Sequence, residues 1–126
     1  MKILGKEIEF DFFDADAMEK WDKYTEEMKN TINKLNVKNM KQSEFIRKFC
    51  TAIEKCFDGI FGEGTSKEIF EGKQNFKLCV NAYKDLVQGR KEQDNELSNE
   101  MKDIQKELDE MNKDYSVNRA TRRARK

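Results

Sequence analysis

The sequence predicts a mainly α-helical fold, in which a small N-terminal β-hairpin packs on a helical domain, followed by a long C-terminal helix and a disordered basic tail. Three observations support this prediction. Apolar residues recur every three or four positions along most of the chain, which is the period of an amphipathic helix. Proline, which breaks helices, does not occur among the 126 residues. Residues 7–11 alternate between charged and apolar side chains instead, as a half-buried strand does.

The opening residues predict the hairpin. Ile8 and Phe10 alternate with acidic residues, and the Gly5-Lys6 step predicts the turn because glycine accepts a positive φ. A hairpin of this size is marginally stable alone in water. We therefore expect it to pack against a helix.

The first predicted helix follows the hairpin and is about twenty residues long, as its apolar period indicates. Asp14 or Asp16 can act as the N-cap, and Asp16 with Glu19 fits a capping box. The apolar face of this helix consists of Met18, Trp21, Tyr24 (or Thr25), Met28, Ile32 and Leu35.

A second helix and a short third one are predicted next. Ser43 is the expected N-cap of the second helix and Gly59 its expected end. Its apolar face consists of Phe45, Ile46, Phe49, Cys50, Ile53 and Phe57. Thr65 with Glu68 fits another capping box, which predicts a short helical turn that ends at Gly72.

The last predicted helix is the longest and begins after Asn75 as its N-cap. Its first half has the core-like residues Phe76, Cys79, Val80, Tyr83, Leu86 and Val87. Its second half carries a heptad stripe, in which apolar residues are spaced alternately by four and three positions. This stripe consists of Leu97, Met101, Ile104, Leu108, Met111 and Tyr115.

These patterns divide the chain into three segments. We predict a helical globular domain with the hairpin at residues 1–89, an extended heptad-bearing helix at residues 90–115 and a basic tail at residues 116–126. Two interpretations of the stripe remain open: the helix folds back on its own core, or it forms a coiled coil with itself or with a long helical partner.

The charges of the chain are unevenly distributed although they sum to zero. Residues 1–115 carry 20 basic and 25 acidic side chains, whereas residues 116–126 carry five basic and no acidic ones. The tail is either a solubilising terminus or an electrostatic contact for an acidic protein surface or nucleic acid. Nucleic acid is the less favoured partner, because the rest of the chain is acidic and no aromatic residue lies among the cations. These cations are Arg119, Arg122, Arg123, Arg125 and Lys126.

The residue types present argue against an enzyme. Histidine is absent, which excludes Ser-His and Cys-His hydrolases and His-bearing zinc sites. Cys50, Cys56 and Cys79 are expected to be buried apolar thiols, with a reactive or metal-binding role as the alternative. The Gly62-x-Gly64 pair lacks the lysine of a phosphate loop and is interpreted as a turn between helices. We therefore predict no catalytic, cofactor-binding or metal-binding residues.

Membrane insertion and secretion are not expected either. No apolar run approaches the length of a membrane span, and the first residues do not form a signal peptide. The cytoplasm is the predicted compartment, in agreement with an odd number of cysteines.

Three passages of the sequence resemble a known family. They are residues 2–10 (KILGKEIEF), residues 57–70 (FDGIFGEGTSKEIF) and residues 118–126 (NRATRRARK). Together they are similar to the small tail assembly chaperones of long-tailed, siphovirus-like phages and prophages of Gram-positive bacteria. The middle passage is the most specific of the three.

The resemblance implies a non-enzymatic chaperone that binds the tape-measure protein in the host bacterial cytoplasm before the tail tube polymerises. It also implies absence from the mature virion, with the tail tube protein as a further candidate partner. A homo-oligomer formed through the stripe is another expectation. Two alternatives remain: a phage scaffolding or other structural assembly protein, and a small nucleic-acid-binding regulator that uses the tail.

Overall fold

The fold is mainly helical, with an N-terminal hairpin and a long C-terminal helix, as predicted. The computed structural model describes the backbone of residues 1–124 and the side chains of residues 1–113. In chain order the elements are strands β1 (Lys2–Ile3) and β2 (Lys6–Glu7), helix α1 (Ala15–Asn33), a 3-10 turn (Val37–Asn39), and helices α2 (Gln42–Phe61), α3 (Thr65–Phe70) and α4 (Phe76–Ala124). Two compact units are distinguished, Met1–Lys91 and Glu92–Lys126, and helix α4 contributes to both.

The hairpin turns one residue earlier than predicted. Strands β1 and β2 are antiparallel, and the two residues between them are Leu4 and Gly5, with φ of 50° and 79°. Two positive φ angles are typical of a type I′ turn, the tight turn that matches the twist of a hairpin. The sequence favoured Gly5-Lys6 because glycine accepts a positive φ, whereas the structure also places Leu4 in that region, which leucine rarely adopts.

A contact with helix α4 accounts for this unusual leucine. The backbone N–H of Leu4 donates a hydrogen bond to Oδ2 of Asp85, at 2.9 Å. The neighbouring Ile3 side chain is fully buried in the core. The hairpin is thus held on the helical domain at both its backbone and a side chain, which confirms that it packs on helices.

Helix α1 begins at the first of its two predicted caps. The Asp14 side chain accepts a hydrogen bond from the backbone N–H of Ala17, at 3.0 Å. Asp16 lies inside the first turn, so the predicted Asp16-Glu19 capping box is wrong. There the carboxylate of Asp16 interacts favourably with the positive end of the helix dipole.

Both predicted ends of helix α2 are wrong. The helix begins at Gln42 after Lys41, and Ser43 lies within its first turn. At the other end the helix continues past Gly59 as far as Phe61, and Gly62 follows with a φ of 115°. That angle is outside the helical region, so Gly62 is the glycine that ends the helix.

Gly59 has a packing role instead. A Cβ atom at this position would lie 2.3 Å from Cδ1 of the Tyr24 ring. Only glycine therefore lets helix α2 approach the ring of helix α1 this closely, and the residue is a contact point rather than a stop.

Helix α3 also begins differently from the prediction. Gly64 precedes it, and Thr65 donates its hydroxyl back to the carbonyl of Gly62, at 2.7 Å, so no Thr65-Glu68 capping box forms. Asp58 of helix α2 provides the cap, because its carboxylate accepts hydrogen bonds from the backbone N–H and the hydroxyl of Ser66, at 2.8 and 2.9 Å. The glycine pair is a turn between helices, as interpreted.

Helix α4 begins as predicted, and two of its predicted core residues, Cys79 and Leu86, are buried in the first unit. Asn75 accepts a hydrogen bond from the N–H of Leu78, at 3.1 Å, which confirms the N-cap. The fully buried residues of α4 are Cys79, Ala82 and Leu86. The predicted core residues Val80, Tyr83 and Val87 are half-buried and Phe76 is 40% exposed. Ala82 is buried although it was not predicted, because its small side chain permits close helix packing that a hydrophobicity pattern ranks low.

Within the part of the chain that the structure describes, no helix has both the length and the apolar character needed to cross a membrane. All side chains of the predicted tail, residues 116–126, lie outside the described residues, so its predicted disorder is not tested by them. The backbone of helix α4 is described as far as Ala124.

Candidate partner-binding surface

Five residues of the predicted stripe are exposed on helix α4. Their exposed fractions range from 44% to 66% of the side chain. They are Leu97, Met101, Ile104, Leu108 and Met111. Fourteen helical positions separate the first from the last, so the stripe extends over about 21 Å along the helix. Large apolar side chains clustered on a protein surface are typical of an interaction site.

The remaining predicted contact residues cannot be placed. The side chain of Tyr115, which completes the stripe, lies outside the described residues. The same holds for all five cations of the basic tail, namely Arg119, Arg122, Arg123, Arg125 and Lys126. Their predicted contact with an acidic partner stays a prediction.

The two edges of the stripe differ in charge. Glu100 and Glu107 lie along one edge, and the uncharged Ser98, Gln105 and Asn112 lie along the other. On the uncharged edge, Nε2 of Gln105 donates a hydrogen bond to Oδ1 of Asp109, at 3.1 Å. One edge therefore places two carboxylates directly beside the stripe, whereas the side chains directly beside it on the other edge are neutral.

A groove between helices α1 and α2 forms a second surface, which the sequence analysis missed. It encloses about 600 Å³ and has Met28, Ala52 and Cys56 among its apolar lining. Glu27 of α1 and Lys55 of α2 are among its charged residues. The groove depends on how two helices cross, and no residue pattern in the sequence indicates that geometry.

An aromatic cluster joins the beginnings of helices α2 and α4. The ring centroids of Phe45 and Phe49 lie 5.9 and 4.8 Å from that of Phe76. The sequence analysis placed all three in the core, but Phe45 and Phe49 are only half-buried. Aromatic pairs at such distances add stability beyond burial alone, so we assign this cluster the role of fixing the start of α4.

The three cysteines are buried free thiols, as predicted. Cys50, Cys56 and Cys79 are each no more than 1% exposed. Burial raises the pKa of Cys56 to about 12. Burial also raises the pKa of Cys50 and Cys79, and the Cys79 pKa is raised further because its thiol donates a hydrogen bond to Cys50. Thiols that stay protonated at neutral pH are poor nucleophiles.

No described residues form a metal site. Among the side chains of residues 1–113, there is no group of three or more His, Cys, Asp or Glu residues that could hold a metal ion. The stripe is the candidate partner-binding surface, because its large side chains are apolar and exposed and one of its edges is acidic.

The fold and this surface define a class: small helical proteins with an N-terminal hairpin and an unpartnered apolar helix face. The chain belongs to the family described as a family of unknown function (DUF6673), which it matches over residues 4–126. The matched range includes the stripe and the basic C-terminal residues. Comparison with curated proteins and with solved structures finds no match.

Proposed function

We propose that this protein is a non-enzymatic tail assembly chaperone of a long-tailed phage or prophage. In this role it binds the tape-measure protein in the host bacterial cytoplasm before the tail tube polymerises, and it leaves before the virion is mature. The observation that carries the proposal is the exposed stripe, five large apolar side chains on one face of helix α4. The resemblance of three sequence passages to such chaperones supplies the identity of the partner.

The stripe suits a long helical partner for a physical reason. A tape-measure protein exposes amphipathic helices until the tube encloses it, and an exposed apolar helix face favours aggregation. A heptad stripe can cover such a face by packing side chains between those of the partner. Met101 and Met111 are flexible, so the stripe can adapt to several imperfect repeats of the partner.

The basic tail supports the same role through charge. Its five cations would attract acidic stretches of the partner, with a strength that falls as salt screens the charges. The tail tube protein is a further proposed partner, recruited once the tape measure is covered.

Co-expression with a tagged tape-measure protein tests the proposal. The test variant carries Ile104→Asp and Leu108→Asp, which place two charges on the stripe. The matched control carries Asn95→Asp and Asn99→Asp, which add the same charge to the same helix away from the stripe. We expect the wild type and the control to co-purify and the stripe variant to lose at least about tenfold in yield, since buried unpaired charges are costly.

Equal co-purification of the stripe variant would contradict the assignment of the stripe. If the wild type itself did not co-purify, the chaperone role would be excluded and the phage coat protein would be the next bait, as expected for a scaffolding protein. A chain truncated after Tyr115 measures the contribution of the basic tail. We expect it to bind more weakly, with a smaller dependence on salt.

A further inference from the structure

The edges of the stripe carry information about the partner. In a coiled coil the apolar positions a and d face the partner, and the adjoining positions e and g pair with residues of the partner helix. The spacing of the stripe assigns Met101 and Leu108 to position a and Ile104 to position d. Glu100 and Glu107 then occupy g, where both side chains are exposed.

Among the described side chains, the opposite edge contains no charge to balance these acids. The e positions are Ser98, Gln105 and Asn112, all exposed and uncharged. In a parallel pair of identical chains, Glu100 would face Gln105 of the second copy, which gives no ion pair. In an antiparallel pair the g positions face each other, so glutamates would oppose glutamates. A second copy of this chain therefore leaves the acidic edge unpaired or repelled.

We propose that the partner of the stripe is an amphipathic helix whose own apolar seam is bordered by lysine or arginine. This inference rests on the proposed function and deepens it, because it states the charge of the helix that the chaperone covers. Lysine or arginine at the edge of the partner pairs with Glu100 and Glu107 in either orientation, at e in a parallel pair and at g in an antiparallel one. Electrostatic complementarity of this kind selects among helices with similar seams.

The expected selectivity is moderate. A single exposed ion pair contributes little, but exchanging attraction for repulsion at two positions changes affinity by about tenfold. The preference should decrease with salt, because the edge charges are solvent-exposed. Binding through the apolar seam should persist at high salt.

Two designed peptides serve as probes for the full-length chain. Both have about four heptads with the same leucine and isoleucine seam. One has lysine at every e and g position, and the other has glutamate there. We expect fluorescence anisotropy to show about tenfold tighter binding of the lysine peptide at ~0.05 M salt, and a smaller ratio at ~0.5 M.

Two charge-matched variants locate the effect. Glu100→Lys with Glu107→Lys should reverse the preference towards the glutamate peptide. Asp103→Lys with Glu110→Lys changes the net charge equally, but on the outer face of the helix, and should keep the preference for lysine. An equal change in both variants would show general attraction instead of edge pairing and would overturn the inference.

Two further outcomes would also overturn it. One is equal binding of both peptides, or of neither. The other is self-association of the wild type in sedimentation equilibrium that is abolished by Ile104→Asp, which would identify a second copy as the partner. The test is independent of the tape-measure experiment: lysine-peptide selectivity without tape-measure binding would reject the proposed function and keep the partner chemistry.

Discussion

The two parts of helix α4 differ in how far they bury their apolar side chains. In the first unit the helix buries Cys79, Ala82 and Leu86 in the core. In the second unit the large side chains of Met101, Ile104 and Met111 are at least half exposed. The comparison teaches that hydrophobic size does not decide burial in this chain. Burial depends instead on whether another element is available for the side chain to pack on. The large residues that have no such element form the proposed binding surface.

The sharpest test of this comparison removes one large side chain from each part. Phe57 is fully buried in the first unit. Phe57→Ala should therefore lower the free energy of unfolding by about 3–5 kcal/mol. Leu108→Ala should cost less than about 0.5 kcal/mol, because that side chain is exposed and alanine favours helix. Urea unfolding followed by Trp21 fluorescence measures both values.

If Leu108→Ala lowered the free energy of unfolding as much as Phe57→Ala, the comparison would be contradicted. It would show that the stripe is covered in solution, by the chain itself or by a second copy. Repeating the titration at two protein concentrations separates these cases, because only association depends on concentration.

Alkaline pH should affect the first unit through its thiols. The folded-state pKa of Cys56, about 12, lies above the unfolded value of about 8.5. The stability linked to this thiol is fully present below pH ~8.5 and is lost as the pH rises towards 12, because the unfolded chain ionises first. Between pH 9 and 11 the free energy of unfolding should fall by about 2–3 kcal/mol from Cys56 alone.

The variant Cys56→Ala is the control for this pH dependence. Between pH 9 and 11, the free energy of unfolding of this variant should fall less than that of the wild type, by about the amount assigned to Cys56. This holds whatever the stability of the variant at pH 9. If the free energy of unfolding of the variant changed with pH as steeply as that of the wild type, Cys56 would not be the group responsible. Thiol alkylation at pH 8 should be slow in the folded protein and fast in urea, since buried thiols are protonated and inaccessible.

The smallest expected effect compares two aspartates of helix α4. Asp85→Ala removes the acceptor for the N–H of Leu4 and should cost about 1–2 kcal/mol, because a partly buried donor loses its charged partner. Asp103→Ala, on the exposed second part, should cost less than about 0.5 kcal/mol. Equal effects in thermal unfolding would show that the hydrogen bond does not hold the hairpin.

Local patterns predicted the elements whose causes are local. The Asn75 cap and the type of each element follow from residues adjacent in sequence, and the structure confirms them. Two of the errors fall where a distant residue decides the outcome. Gly59 does not end α2 because the Tyr24 ring packs on it, and the start of α3 is capped by Asp58 of the preceding helix.

The candidate surface was predictable for the same reason. A heptad repeat is a property of one helix, so the residues of the stripe are recognisable without the fold. The groove between α1 and α2 requires two helices to cross at a particular angle, which no spacing in the sequence specifies. The charge of the stripe's edges became interpretable only once Glu100 and Gln105 were placed on one continuous, exposed helix.

The hydrogen bond between Leu4 and Asp85 also constrains when the hairpin can dock during protein synthesis. It joins residues 81 positions apart, so the hairpin cannot reach its final place until the ribosome has released the first turns of α4. The stripe begins twelve positions after Asp85, and translation at about 5–20 residues per second makes that interval roughly 0.6–2.4 s. Small helical domains fold in microseconds to milliseconds. The first unit therefore has time to fold before the exposed stripe leaves the ribosome.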